Sequence, residues 1–112
     1  PLIEAMACGT PAIAGDHSTH HELAFEGDPQ PRGIPVKARY VRPVLWTPTH
    51  QEYSFIDPYD FADAMAKAYN EDREPYSRNA VEFAEQYDWE TVIDKYFVPT
   101  LNEVEKEVIG RK

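Results

Sequence analysis

The chain has 112 residues, enough for one domain with a real core, and its 42% hydrophobic and 12% aromatic content suits a folded protein rather than a disordered one. A formal net charge of −9 argues against binding nucleic acid or an anionic membrane, both of which call for a basic face. The single cysteine excludes an internal disulfide and is compatible with a reducing compartment, and no apolar run approaches the roughly 18–20 residues that span a bilayer.

Residues 1–9, Pro-Leu-Ile-Glu-Ala-Met-Ala-Cys-Gly, read as a short helix. Pro1 suits a first helical position, where its missing N–H costs nothing, and Gly9 suits the left-handed position just past a helix end. Thr10-Pro11 cannot continue the helix, and Ala12-Ile13-Ala14 is an apolar run typical of a strand buried on both faces. Gly15-Asp16-His17 follow at its carboxyl end, where open α/β sheets place ligands. Thr19 and Glu22 have capping-box spacing, which predicts a helix over about 20–26 that stops at Gly27. Residues 28–33 are a loop, and 34–38 read as a strand in which Pro35 points to an edge position. Residues 39–56 read as an irregular insertion with one short extended piece, because Pro43 and Pro48 interrupt the apolar Tyr40, Val41, Val44, Leu45 and Trp46.

The remainder is helical. Asp57-Pro58 reads as an N-cap followed by a first-turn proline, with Phe61, Met65, Ala68 and Tyr69 at helical spacing. A second helix is predicted over about 75–86, with Tyr76, Ala80, Phe83, Ala84 and Tyr87 on or beside one face. Asp88 caps a third, striped by Trp89, Val92, Ile93, Tyr96 and Phe97, which Pro99 should kink or end. Leu101, Val104 and Val108 then form a narrow seam among Glu103, Glu105, Lys106 and Glu107. Phe61, Phe83, Trp89, Tyr96 and Phe97 are expected in the core. The fold class is α/β, with too few strands for a free-standing doubly wound sheet.

The run from Pro1 to Ala14 resembles the donor-site signature of retaining glycosyltransferases of the GT-B fold, glycosyltransferase family 4 in particular. In that family a Glu-x7-Glu motif spans a loop and the helix after it, and leads into a stretch of Ala-Cys-Gly-x-Pro-x-Ile/Val-Ala type. Glu4 matches the second Glu; the first would lie eight residues earlier, before Pro1. The likeness is specific over about sixteen residues and weaker to about residue 97, and the Glu26 to Arg32 stretch departs from the family's compact glycine-rich turn. With no initiator Met and an element already under way at residue 1, the chain is expected to be a piece of a longer polypeptide.

The resemblance implies a partial Rossmann-like parallel sheet with flanking helices, the C-terminal half of the second GT-B domain, ending in a helical C-terminus. Residues 1–38 would be the donor-site core, 39–56 an insertion and 57–112 the C-terminal helices, with an N-terminal domain of the same protein as partner. The activity implied is that of a hexosyltransferase, moving a sugar from a nucleotide-diphosphate sugar to an acceptor hydroxyl without cofactor or bound metal. Glu4 would accept hydrogen bonds from the ribose hydroxyls, and Pro1 and Leu2 at the helix start would face the diphosphate and sugar, Leu2 as a contact or as a pocket wall. No catalytic group falls within these residues, so the isolated chain should be inactive. Leu101, Val104 and Val108 would dock the last helix on the N-terminal domain. The protein would be cytoplasmic, free or peripheral to a membrane through that domain.

Read from the residues alone, Glu4 is either a ligand-facing carboxylate, kept ionised near the positive end of the helix dipole, or a solvated charge or cap. Asp16, His17, His20 and His21 cluster; His17 and His21 are four apart, a metal-ligand spacing, but a solvated or cleft-lining loop fits better because the helix starts only near His20. Cys8 is expected to be buried where the helix packs on the sheet, without a basic neighbour to activate it. Trp46 and Tyr53 either pack the insertion down or stack on a sugar. Two other function classes stand beside the transferase: a binding or assembly module that keeps the fold only, and a GT-B nucleotide-sugar epimerase, for which the Ala-Cys-Gly-Thr-Pro run is less typical.

Overall fold

The computed structural model describes residues 1–43 and 52–111; the expectations for Val44, Leu45, Trp46 and Pro48 fall outside these. The protein is a mixed α/β structure, rich in helix. α1 (Leu2–Ala7) closes on Gly9 at φ +74°, with Gly9 N–H donating to Met6 and Thr10 N–H to Ala5, both at 2.9 Å. This is the paired C-terminal closure in which only glycine adopts the left-handed angle without strain. Pro1 stands just before the helix as its N-cap, one place earlier than the first-turn position its ring suggested.

The chain then enters β1 (Ala12–Gly15), crosses through α2 (Ser18–Ala24) and returns as β2 (Gly33–Val36), which lies parallel to β1 with Ile13 opposite Ile34. The expected capping box does not form. α2 starts at Ser18 after an extended His17 with no side-chain cap, and it ends at Ala24, short of Glu26. Its end is set by Arg32 instead. The guanidinium donates to the carbonyls of Leu23 (2.9 Å), Gly27 (3.0 Å), Pro29 (3.1 Å), Glu22 (3.3 Å) and Glu26, and lies 3.7 Å over the Phe83 ring. Carbonyls that would otherwise be orphaned at the helix end are thereby satisfied by a tertiary donor.

The described residues of the 39–56 stretch form two extended pieces rather than the single one expected. β3 (Ala38–Pro43) pairs antiparallel with β4 (Glu52–Ile56), Val41 opposite Ser54, with a register irregularity between Ala38 and Tyr40. Pro43 is tolerated because it ends its strand, and the β-branched and aromatic residues on both sides favour extended pairing. Arg39 ties this hairpin to the next helix through a forked pair with Asp60 at 2.5 and 2.6 Å.

α3 (Pro58–Asn70) begins as expected, with the Asp57 carboxylate accepting from Tyr59 N–H at 2.8 Å. Asp57→Ala should lower stability by about 1 kcal/mol in urea denaturation. α4 (Glu74–Ala84) passes through a 3₁₀ turn (Glu85–Tyr87) into α5 (Trp89–Val92), whose first turn is capped by Asp88 accepting from Glu90 N–H at 3.1 Å. Pro99 does not end this helix. A π-helical segment (Ile93–Phe97) precedes α6 (Val98–Gly110), so the proline falls in the first turn of α6, where its missing N–H is not needed.

Two small cores result. Met6, Ala80, Phe83 and Ala84 join α1 to α4, and Ile34, Val36 and Ala64 join β2 to α3. Of the five aromatics expected inside, only Phe83 is buried; Trp89 is 78% exposed, and Phe61, Tyr96 and Phe97 are also exposed. Helical spacing marks a face but does not say that anything covers it. Cys8, the C-cap of α1, is exposed rather than buried.

Candidate functional site

Glu4 lies in the first turn of α1 with its carboxylate exposed. Its Oε2 sits 2.5 Å from the Pro1 ammonium, and this hydrogen bond, with a backbone bond and the ammonium charge, holds the carboxyl below its usual range. Leu2 is half-buried and packs against the Met6–Phe83 cluster. The structure therefore brings Pro1 and Glu4 together at the surface and turns Leu2 toward the core.

Beside Glu4 opens a cavity of about 460 Å³ between α1 and the far end of α4, walled by Ile3, Ala7, Val81, Tyr87 and Trp89. The Tyr87 ring is held by a tilted contact with Phe83, centroids 5.5 Å apart. Sequence periodicity assigns Trp89 to the core and Tyr87 to a packed helix face; the turn at Glu85–Tyr87 redirects the chain so that both reach Glu4's side of α1. The Asp88 cap announces a break in the helix there, but nothing local gives the direction the chain takes through it.

The histidine-rich stretch follows the carboxyl end of β1. Asp16 Oδ1 accepts from His21 Nδ1 at 2.6 Å, and the His17 and His20 rings contact at 5.8 Å between centroids. Turned to Asp16, His21 does not pair with His17 around a common point, and no group of three or more His, Cys, Asp or Glu among the described residues could hold a metal ion. Ser18 adopts φ +50°, a left-handed angle uncommon for a residue with a Cβ.

Hydrogen bonding to Asp16 raises the His21 pKa above 6.5, so the pair contributes stability that is complete below pH 6.5 and lost as pH rises through the raised value. Asp16→Asn should move the His21 imidazole titration downward in an NMR pH series. An unmoved titration would show that the pair does not form in solution.

A second cavity of about 200 Å³ lies at the start of β1, lined by Pro11, Ile13, Ile34 and Ala68, with the Tyr76 hydroxyl donating to Glu71 at 2.6 Å nearby. Among the described residues no helix is long and apolar enough to cross a membrane. No family model, no curated protein and no solved structure matches the chain.

Proposed function

We propose that these residues form part of the donor-binding side of a retaining glycosyltransferase, as the C-terminal portion of the second, Rossmann-like domain of a GT-B fold. The observation that carries the reading is the run from Pro1 to Ala14, whose resemblance to the family's donor signature extends over helix, glycine turn and strand. The local geometry is compatible with it: a short helix, a left-handed Gly9 and an apolar strand, with Glu4 exposed beside a cavity.

In the longer polypeptide that this reading requires, the Pro1 nitrogen is a peptide nitrogen and no longer an ion-pair partner. Glu4 is then free to take the ribose diol, for which an acceptor-only carboxylate with two oxygens is suited. Sugar transfer in such an enzyme relies on positioning and on stabilising the departing diphosphate. The groups that carry that charge belong to the upstream part. The exposed Leu101, Val104 and Val108 then dock on the N-terminal domain.

The test begins with the mass of the native polypeptide, followed by a panel of nucleotide sugars with Glu4→Gln as control. Transferred sugar supports the reading, an epimerised donor replaces it with the epimerase, and absence of any donor binding overturns both. A binding module that keeps only the fold is the second reading, favoured by the uncovered apolar stripe along α5 and α6.

A further inference from the structure

We propose that the outer face of α3 is a self-complementary surface through which two copies of this protein pair antiparallel as a dimer. One side of α3 is used on the core, where Ala64 and the partly buried Ala68 pack with Ile34 and Val36 of β2. At about 100° per residue, the opposite side carries Tyr59, Ala62, Ala66 and Tyr69. Met65 flanks this face on one edge, and Asp63 and Lys67 flank it on the other. Tyr59 is 82% exposed and Tyr69 90%, although aromatic side chains gain most from burial. The upstream part invoked above would join at Pro1, on α1, which packs on α4 through Met6, and the apolar seam given to domain docking lies on α6.

The face is matched to itself. Tyr59 and Tyr69 are equally distant along the helix from Ala64, and so are Ala62 and Ala66. With a two-fold axis crossing there, Tyr59 lies level with Tyr69 of the second copy. Ala62 then meets Ala66, and their small side chains let the two helices approach closely. The same axis sets Asp63 of each copy beside Lys67 of the other, offset by about 3 Å along the helix. A parallel pair would instead set Asp63 against Asp63, and a net charge of −9 on each copy would oppose it further. Antiparallel helix dipoles also attract. The charge pattern therefore selects a second copy, in this orientation, as the occupant.

The area sets the strength. Four tyrosines at about 150–250 Å² each supply roughly 600–1,000 Å², below the 1,200–2,000 Å² or so of stable complexes. The dimer is therefore transient and grows with concentration.

The experiment is sedimentation equilibrium of the full-length protein from about 10 μM to 1 mM, a range that spans weak association. It compares wild type, Tyr59→Ser with Tyr69→Ser, Asp63→Lys, Lys67→Asp, and the last two combined. Wild type should pass from monomer toward dimer across the range. Removing both tyrosines should weaken the dimer at least about tenfold. Each single reversal sets like charges across both symmetric contacts and should weaken it about 3- to 10-fold, whereas the combined swap should return it to within about twofold of wild type. Every substituted residue is exposed, so the circular dichroism spectrum should not change. A wild type that stays monomeric to about 1 mM overturns the inference. A dimer indifferent to the tyrosines forms on another surface and overturns it too. A dimer that needs the tyrosines but is not restored by the combined swap overturns the antiparallel pairing. None of these outcomes bears on the donor reading.

Discussion

Arg32→Ala is expected to remove about 3–5 kcal/mol of stability. The guanidinium is fully buried and donates to five backbone carbonyls, two of them in the last turn of α2 and the others along the loop that follows. Each carbonyl left without a donor away from water costs about 1–3 kcal/mol, offset where the loop opens and hydrates. The substitution also strips the Phe83 ring of its cation partner at 3.7 Å and opens space above the α1–α4 core. Burial lowers the Arg32 pKa, but a guanidinium stays protonated, so the group is paired by hydrogen bonds rather than neutralised.

Arg32→Lys should recover less than half of the loss, since three donors on a point charge cannot fork across five acceptors. Urea denaturation of both variants measures this. A loss below 1 kcal/mol for Arg32→Ala would mean that the loop is held by something other than this fork.

On the proposed donor-site reading, Glu4→Gln should weaken binding of a nucleotide-sugar donor by about 10- to 150-fold, the loss of a hydrogen bond to a charged acceptor at roughly 1.5–3 kcal/mol. Glutamine keeps the length of the side chain but replaces one acceptor oxygen with a donor, so a diol that donates twice finds one acceptor and one clash. The effect should appear as a higher KM with a smaller change in kcat, because the ribose is bound alike in the ground state and the transition state. Glu4 is exposed and α1 is anchored through Met6, so the denaturation midpoint should not move. An unchanged donor affinity with an intact fold would remove Glu4 from the site.

Local features were readable from the residues. Gly9 announces its left-handed turn, Asp57 and Asp88 announce their helices, and Ala12-Ile13-Ala14 and the stretch around Ile34 announce two strands, because caps, glycine and short apolar runs act within a few residues. The hairpin of β3 and β4 was hidden because the prolines that argue against a strand lie at or beyond its ends, where no ladder hydrogen bond is lost. At the candidate site the sequence singled out Glu4 from its motif but not the company it keeps. Tyr87 and Trp89 share its cavity only because a 3₁₀ turn redirects the chain after α4.

The sequence alone determined α1, β1, α2, β2 and the helix starts at Asp57 and Asp88, in that order, and the carboxylate at the start of α1, since each depends on neighbours along the chain. Only the tertiary structure decided which apolar faces are covered and which polar atoms find partners. Arg32 reads as one charge in a loop until the backbone carbonyls of residues 22–29 converge on it. Trp89, Tyr96 and Phe97 read as core until α5 and the π-helical segment are seen to leave them exposed. Burial and convergence are properties of three-dimensional neighbours, and periodicity specifies a face without specifying what meets it.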